Sequence, residues 1–246
     1  MSKVEETAEK EDMVAQMRAN LAKLRGLRPA SVPSEAPMRM QLRAWQSARF
    51  ARTYPELLAS ERYRLAAEFF LSDLYGPKDF SKRDTELERI LPMLSRLLPA
   101  AGVHTLALGM ELDIISETFD IAMARALLAH SQTPKSDISE AAYAKAYRAC
   151  DDRPGRETQI KLLIEIGATL DRVTRRPLLK AAISLMKGPA YAAGLGALHD
   201  FLDRGFQAFE RMNGATEFLD TIRTRETLIL QRLFAGHRAP FDLTRG

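Results

Sequence analysis

The sequence predicts an all-α protein: orthogonally packed helices, eight or nine of them in one domain, behind a tethered N-terminal amphipathic helix. Three observations predict it. The 246 residues include 35 Ala and 33 Leu but only 5 Val and 11 Ile, so the apolar residues are mostly good helix formers and few are β-branched. Apolar positions recur at intervals of three and four along almost the whole chain, the period of a helix with one buried face. No hairpin dipeptide separates two alternating segments, and no period of about 20 to 50 residues repeats.

The first element, residues 10–27, places Val14, Met17, Leu21 and Leu24 on one stripe. Such a helix is marginal alone and stable when docked. In "RPASVPSEAP" Pro29, Pro33 and Pro37 follow closely on one another and favour an extended linker. The expected organisation is an N-terminal amphipathic helix over 1–28, a Pro-rich linker over 29–38 and a helical domain over 39–238. Breaks within that domain are expected at Tyr54-Pro55, Gly76-Pro77, Pro99 to Gly102, "SQTPKSD" (131–137), "DDRPG" (151–155), Lys187-Gly188-Pro189 and Asn213-Gly214. Glycine closes a helix in the left-handed conformation, and proline cannot continue one but can begin the next.

Three helices are expected to be central. Over 103–129, Leu108, Leu112, Ile115, Phe119, Ala122 and Ala126 share a stripe that Met110, Ile114, Ile121 and Met123 widen, so this helix is apolar around most of its circumference and belongs in the core. Its remaining face carries Asp113, Ser116, Glu117 and Asp120, an acidic stripe expected to face solvent. Over 189–212, Ala192, Ala193, Gly196 and Ala197 are small enough to admit a second helix, and Phe201, Phe206 and Phe209 follow. The last helix, 215–235, repeats the pattern with Phe218, Ile222, Ile229, Leu230 and Leu233.

The stretch "FFLSDLYGPKDFSKRD" (69–84) ends one helix and begins another. Leu65, Phe69, Phe70, Leu71 and Leu74 are expected to face inward and Gly76 to stop the helix. Ser81 stands three residues before Asp84, the spacing of a capping box. The stretch resembles the motif of the bacterial FFLEELY-motif proteins: Phe69, Phe70, Leu71, Leu74 and Tyr75 match, while Ser72 and Asp73 stand where that motif has two Glu. The resemblance implies an all-helical fold and supplies no activity. Tyr75, Asp79 and Arg83 make the corner more polar than a connection requires; Arg83 can pair with Asp79, and the three are also candidates for a polar binding patch.

Most familiar chemistries are disfavoured. A di-iron bundle needs Glu-x-x-His pairs, and none of His104, His130, His199 and His237 has an acid three residues earlier. A single Cys150 and four scattered His give no zinc pattern, and phosphate-loop and nucleophile-elbow motifs are absent. No cofactor or metal is therefore expected. His104 and Glu111 lie two turns apart on one helix face, and His199 sits between the small residues and the Phe-rich half of its helix, where an imidazole could serve a pocket.

The net charge of +4 is a weak excess of 36 Lys+Arg over 32 Asp+Glu, so nucleic acid is a disfavoured partner; the nearest basic runs are Arg172, Arg175, Arg176 and Lys180, and Arg39, Arg43, Arg49 and Arg52 around Trp45. The longest uncharged window, Leu97 to Met110, contains Pro99 and Gly102 and is too short to span a membrane. The acidic start "MSKVEETAEKED" and the lone cysteine favour the cytoplasm. Together these features favour a non-catalytic protein that binds a protein or a small apolar ligand. The alternatives are an enzyme or carrier with an apolar pocket near His104 and His199, between the 103–129 and 189–212 helices, and a weak nucleic-acid binder.

Overall fold

The computed structural model describes residues 3–27, 29, 32–74, 81–97, 100–130 and 137–243. Among them are eleven α-helices, one π-helical turn and no strand. The expected stops at 76–77, 99 and 131–136 lie outside the described residues, as do Tyr75, Asp79 and the side chain of the expected Ser81 cap.

Helix α1 (Lys3–Leu27) is longer than predicted and lies against α5 (Ser81–Leu97) and α6 (Ala100–Ala129). Its stripe of Val14, Met17 and Leu21 is buried with Leu87, Leu91, Val103, Met110 and Leu198, which supplies the docked surface that so short a helix needs. Helix α2 begins at Glu35, inside the stretch expected to be linker. Pro37 falls in its first turn, where the backbone N–H that proline lacks has no helical partner to lose.

Tyr54-Pro55 separates α2 from α3 (Pro55–Ala59), and α4 (Arg64–Phe69) passes directly into a π-helical turn over Phe70–Leu74. The inward stripe of this segment is Ala66, Phe69, Phe70 and Asp73, all buried, whereas Leu65 is 39% exposed. The expectation that Leu65 faces inward is therefore corrected. Phe69 and Phe70 face inward as expected, but the stripe of i, i+3, i+4, i+7 spacing begins on an alanine and ends on an acid, so hydropathy alone misplaces its first position.

Asp73 is 3% exposed and accepts from Arg204 Nη2 at 2.6 Å and Nε at 3.2 Å. The two-pronged contact ties the motif to the α10 helix (Gly196–Met212). Asp73→Asn is expected to lower unfolding stability by about 1.5–3 kcal/mol, the range for a hydrogen bond to a charged group. A urea midpoint equal to that of the parent would show that the pair contributes nothing.

Helix α6 contacts α1, α2, α7 (Glu140–Ala149) and α8 (Arg153–Thr174), in the central role expected of it. Ser139 caps α7 by accepting from Ala142 N, and Asp152 caps α8 by accepting from Gly155 N at 2.8 Å. The predicted single helix over 189–212 is instead the end of α9 (Pro177–Ala192) and α10 (Gly196–Met212). The break falls at 193–195, where Gly194 has φ +67, and Pro189 lies inside α9. Proline leaves the carbonyl four residues earlier without its helical donor, and that residue, Leu185, is 77% exposed, so water can serve it. Helix α11 (Thr216–Phe234) follows Asn213 (φ +47) and Gly214 (φ +120), the break read from that dipeptide.

The close helix approach also moves. A Cβ on Gly205 of α10 would stand 3.1 Å from the Phe69 ring, and one on Gly167 of α8 would stand 2.5 Å from Leu219. The tight contacts are thus α10 on α4 and α8 on α11. No helix among the described residues is long and apolar enough to cross a membrane. Apolar side chains form one cluster around Phe50, Phe70 and Phe218 and another around Met123, Tyr143 and Leu233.

Candidate functional site

Between those two apolar clusters the helices enclose charge. Along α2, Arg39, Arg43, Gln46 and Arg49 follow one another at helical spacing, and opposite them α6 presents Asp113, Ser116, Glu117 and Asp120. Glu117 and Asp120 are 7% and 8% exposed. The acidic stripe of α6 is therefore an interior face, which corrects the expectation that it faces solvent.

Arg39 Nη1 donates to Glu117 Oε1 at 2.7 Å, Arg43 Nη2 to Glu117 Oε2 at 2.8 Å and Arg43 Nε to Asp120 Oδ2 at 2.7 Å. Further along α2, Arg49 Nη1 reaches Glu226 Oε1 of α11 at 2.5 Å, and Tyr54 OH donates to the same oxygen at 2.8 Å. A buried charge persists where a partner and further hydrogen bonds offset its desolvation, and these forked arginine contacts do that. The basic run around Trp45, considered as a nucleic-acid face, is mostly spent inside the protein; Trp45 itself stacks on Tyr143 at 4.0 Å.

Two tyrosines of α7, residues of α8 and α11 and Phe241 complete a cavity of about 100 Å³. Its polar lining is Arg43, Gln46, Arg49, Asp113, Ser116, Glu117, Asp120, Tyr143, Tyr147, Arg156, Gln159 and Glu226, with Leu163, Ile229, Leu230 and Leu233 among its apolar walls. No lining residue is exposed. This polar cavity is distinct from the apolar pocket considered as an alternative between the 103–129 and 189–212 helices.

The site's protonation follows from burial and pairing. Burial alone would lower the pKa of Arg43, but Asp120 and Glu117 outweigh it and hold the guanidinium charged. Burial raises the Asp120 carboxyl above its usual range, with Arg43 pulling it back. Burial likewise pushes the Tyr143 and Tyr147 phenols up, so both stay neutral and keep a proton to donate. Among the described residues no group of His, Cys, Asp and Glu is placed to share a metal ion.

The site residues predicted from sequence lie elsewhere. Tyr75 and Asp79 are outside the described residues. Arg83 donates to Asp84 at 3.0 Å and to Asp113 of α6 at 2.5 Å. His104 is half exposed and lies 3.9 Å from Glu165 of α8, while Glu111 is exposed. His199 is buried at 8% and bonds Ile183 O of α9 through Nε2 at 3.0 Å. The cavity lining includes none of the described ones, Arg83, His104, Glu111 and His199. In the third group, Arg175 pairs with Asp171 at 2.9 Å, Lys180 with Glu210 at 2.9 Å, and Arg172 bonds Thr169, so much of that basic run is neutralised by local partners.

Sequence reasoning missed the residues that do converge, chiefly Arg43, Glu117, Asp120, Arg156 and Glu226. A signal for part of the set was present: cations at 39 and 43 and acids at 117 and 120 form complementary stripes whose numbers rise together.

A family model described as a domain of unknown function (DUF8198) matches residues 27–240. No curated protein and no solved structure matches the chain.

Proposed function

The chain belongs to the family described as a domain of unknown function (DUF8198), and from that premise we propose that it is a non-catalytic binding protein whose interior cavity takes one small polar ligand. The observation that supports this is a cavity of about 100 Å³ with no exposed lining residue and with its carboxylates already held by arginines of other helices. Walls held in place before the ligand arrives spare it the cost of ordering them. Catalysis is less well supported, because the cavity's carboxylates are engaged by arginines and its tyrosines are held neutral. We also assign the chain to the FFLEELY-motif group, on the five matching residues Phe69, Phe70, Leu71, Leu74 and Tyr75.

The test is a thermal-shift series of small anionic, cationic and neutral metabolites on the parent and on Ser116→Leu, which adds apolar bulk to the polar wall. A true ligand at about 100 times its Kd stabilises by about 2.7 kcal/mol, a rise of roughly 5–10 °C for a chain of this size. The parent is expected to show such a rise with at least one probe, and folded Ser116→Leu is expected to lose it. A parent midpoint indifferent to every probe would defeat the reading.

A further inference from the structure

One cation in the cavity has no anion. Arg156 is 6% exposed, and its guanidinium carbon lies 3.7 Å from the Phe119 ring centroid and 4.3 Å from that of Tyr147. Rings over a guanidinium satisfy its faces; its in-plane N–H groups still require acceptors. Nη1 has one, Gln159 Oε1 at 3.3 Å, but Nε and Nη2 are fully buried and have no hydrogen-bond partner. Those two nitrogens form the edge of the fork that grips a carboxylate with two parallel bonds.

The protein does not fill that edge itself. Arg43 holds Glu117 and Asp120, Arg49 holds Glu226 and Arg83 holds Asp113. Among the described residues no carboxylate stands within ion-pair distance of Arg156. The Cys150 thiol sits beside it, but burial pushes that thiol up against the pull of the guanidinium, and a neutral thiol is a weak acceptor. A second unserved donor, Arg49 Nε, belongs to another residue lining the same cavity.

We infer that the ligand is a small monocarboxylic acid whose carboxylate is received by the Nε–Nη2 edge of Arg156. This rests on the binding-protein reading above and names the ligand class. The two unserved donors of Arg156 suit one carboxylate, whereas a second would face Asp120 and Glu117 with no further unpaired guanidinium to meet it. The cavity of about 100 Å³ is smaller than the roughly 150 Å³ that admits benzene, which restricts the acid to a few heavy atoms.

The experiment uses protein exchanged into carboxylate-free buffer and titrated with sodium acetate, sodium propionate, acetamide, and sodium chloride at matched ionic strength. Acetate or propionate is expected to raise the melting midpoint saturably, with acetamide and chloride inert at the same concentrations. Arg156→Lys keeps the charge and loses the fork; folded by circular dichroism, it is expected to bind about tenfold or more weakly, the loss of one charge-assisted bond. If that variant does not fold, the parent decides through its single thiol: a bound carboxylate offsets the Arg156 charge, so Cys150 should react more slowly with a disulfide reagent as occupancy rises, and acetamide should leave the rate unchanged.

Carboxylates no better than chloride, full affinity in Arg156→Lys, or a Cys150 rate indifferent to acetate would each overturn the inference. Should the carboxylates fail while another probe binds the parent and not Ser116→Leu, this inference falls and the binding-protein reading stands. Failure of every probe removes both.

Discussion

Glu117→Ala is expected to lower unfolding stability by about 3–5 kcal/mol, the range measured when one partner of a buried ion pair is removed. Glu117 is the acceptor for both Arg39 Nη1 and Arg43 Nη2, and those side chains are only 8% and 16% exposed. The substitution removes the acceptor of two donors that water reaches poorly, and most of the cost is the desolvation of those donors, although Asp120 still holds Arg43 and Glu35 lies 4.0 Å from Arg39. Glu117→Gln should fall between the parent and the alanine variant, because one amide oxygen still accepts while the amide N–H₂ opposes the second arginine. The exposed pair of Arg153 and Glu157 on α8, 2.9 Å apart, is the control: Glu157→Ala should cost under about 1 kcal/mol. For a chain of this size the Glu117→Ala loss amounts to a melting midpoint lower by about 10 °C. A urea midpoint for Glu117→Ala as close to the parent as that of Glu157→Ala would mean that the buried network contributes nothing to stability.

That network also marks where the sequence stops being legible. Helical spacing tells which residues share a face, and it placed Asp113, Glu117 and Asp120 together correctly. Which way the face points depends on what lies opposite, and here that is a cationic stripe more than 70 residues earlier in the chain. An acid stripe with no visible partner is rightly assigned to water by hydropathy, so the error is one of pairing rather than of period. The same limit explains Leu65 and Asp73: the buried stripe of the motif begins on Ala66 and ends on an acid matched by Arg204.

Local signals fared better. Asn213 and Gly214 adopt positive φ, Tyr54-Pro55 separates two helices, and the helix expected through the core is there. Pro189 misled because its helix runs along the surface, where a missing backbone bond costs little. Beyond the stripes of α2 and α6 the cavity had no sequence signature, because five separate helices line it.

Phe70→Ala is expected to be as damaging as any substitution in the motif, costing about 3–5 kcal/mol as a large buried aromatic is exchanged for a void. Phe70 is 2% exposed, with its ring centroid 6.1 Å from that of Phe50 on α2 and 5.5 Å, edge-on, from that of Phe218 on α11. It therefore joins the helix ending at the π-helical turn to two helices distant in sequence, and neither neighbour can collapse into the space without leaving its other contacts. Leu65→Ala, five residues earlier and 39% exposed, should stay within about 0.5 kcal/mol of the parent, as surface changes do. The contrast separates two meanings of the motif. If its phenylalanines serve packing, the loss in Phe70→Ala appears in the urea midpoint, and the fraction still folded keeps the parent's response to small ligands. A Phe70→Ala protein of parental stability that has lost ligand response would show instead that the ring acts at a binding surface and that the motif, not the buried cavity, is the functional site.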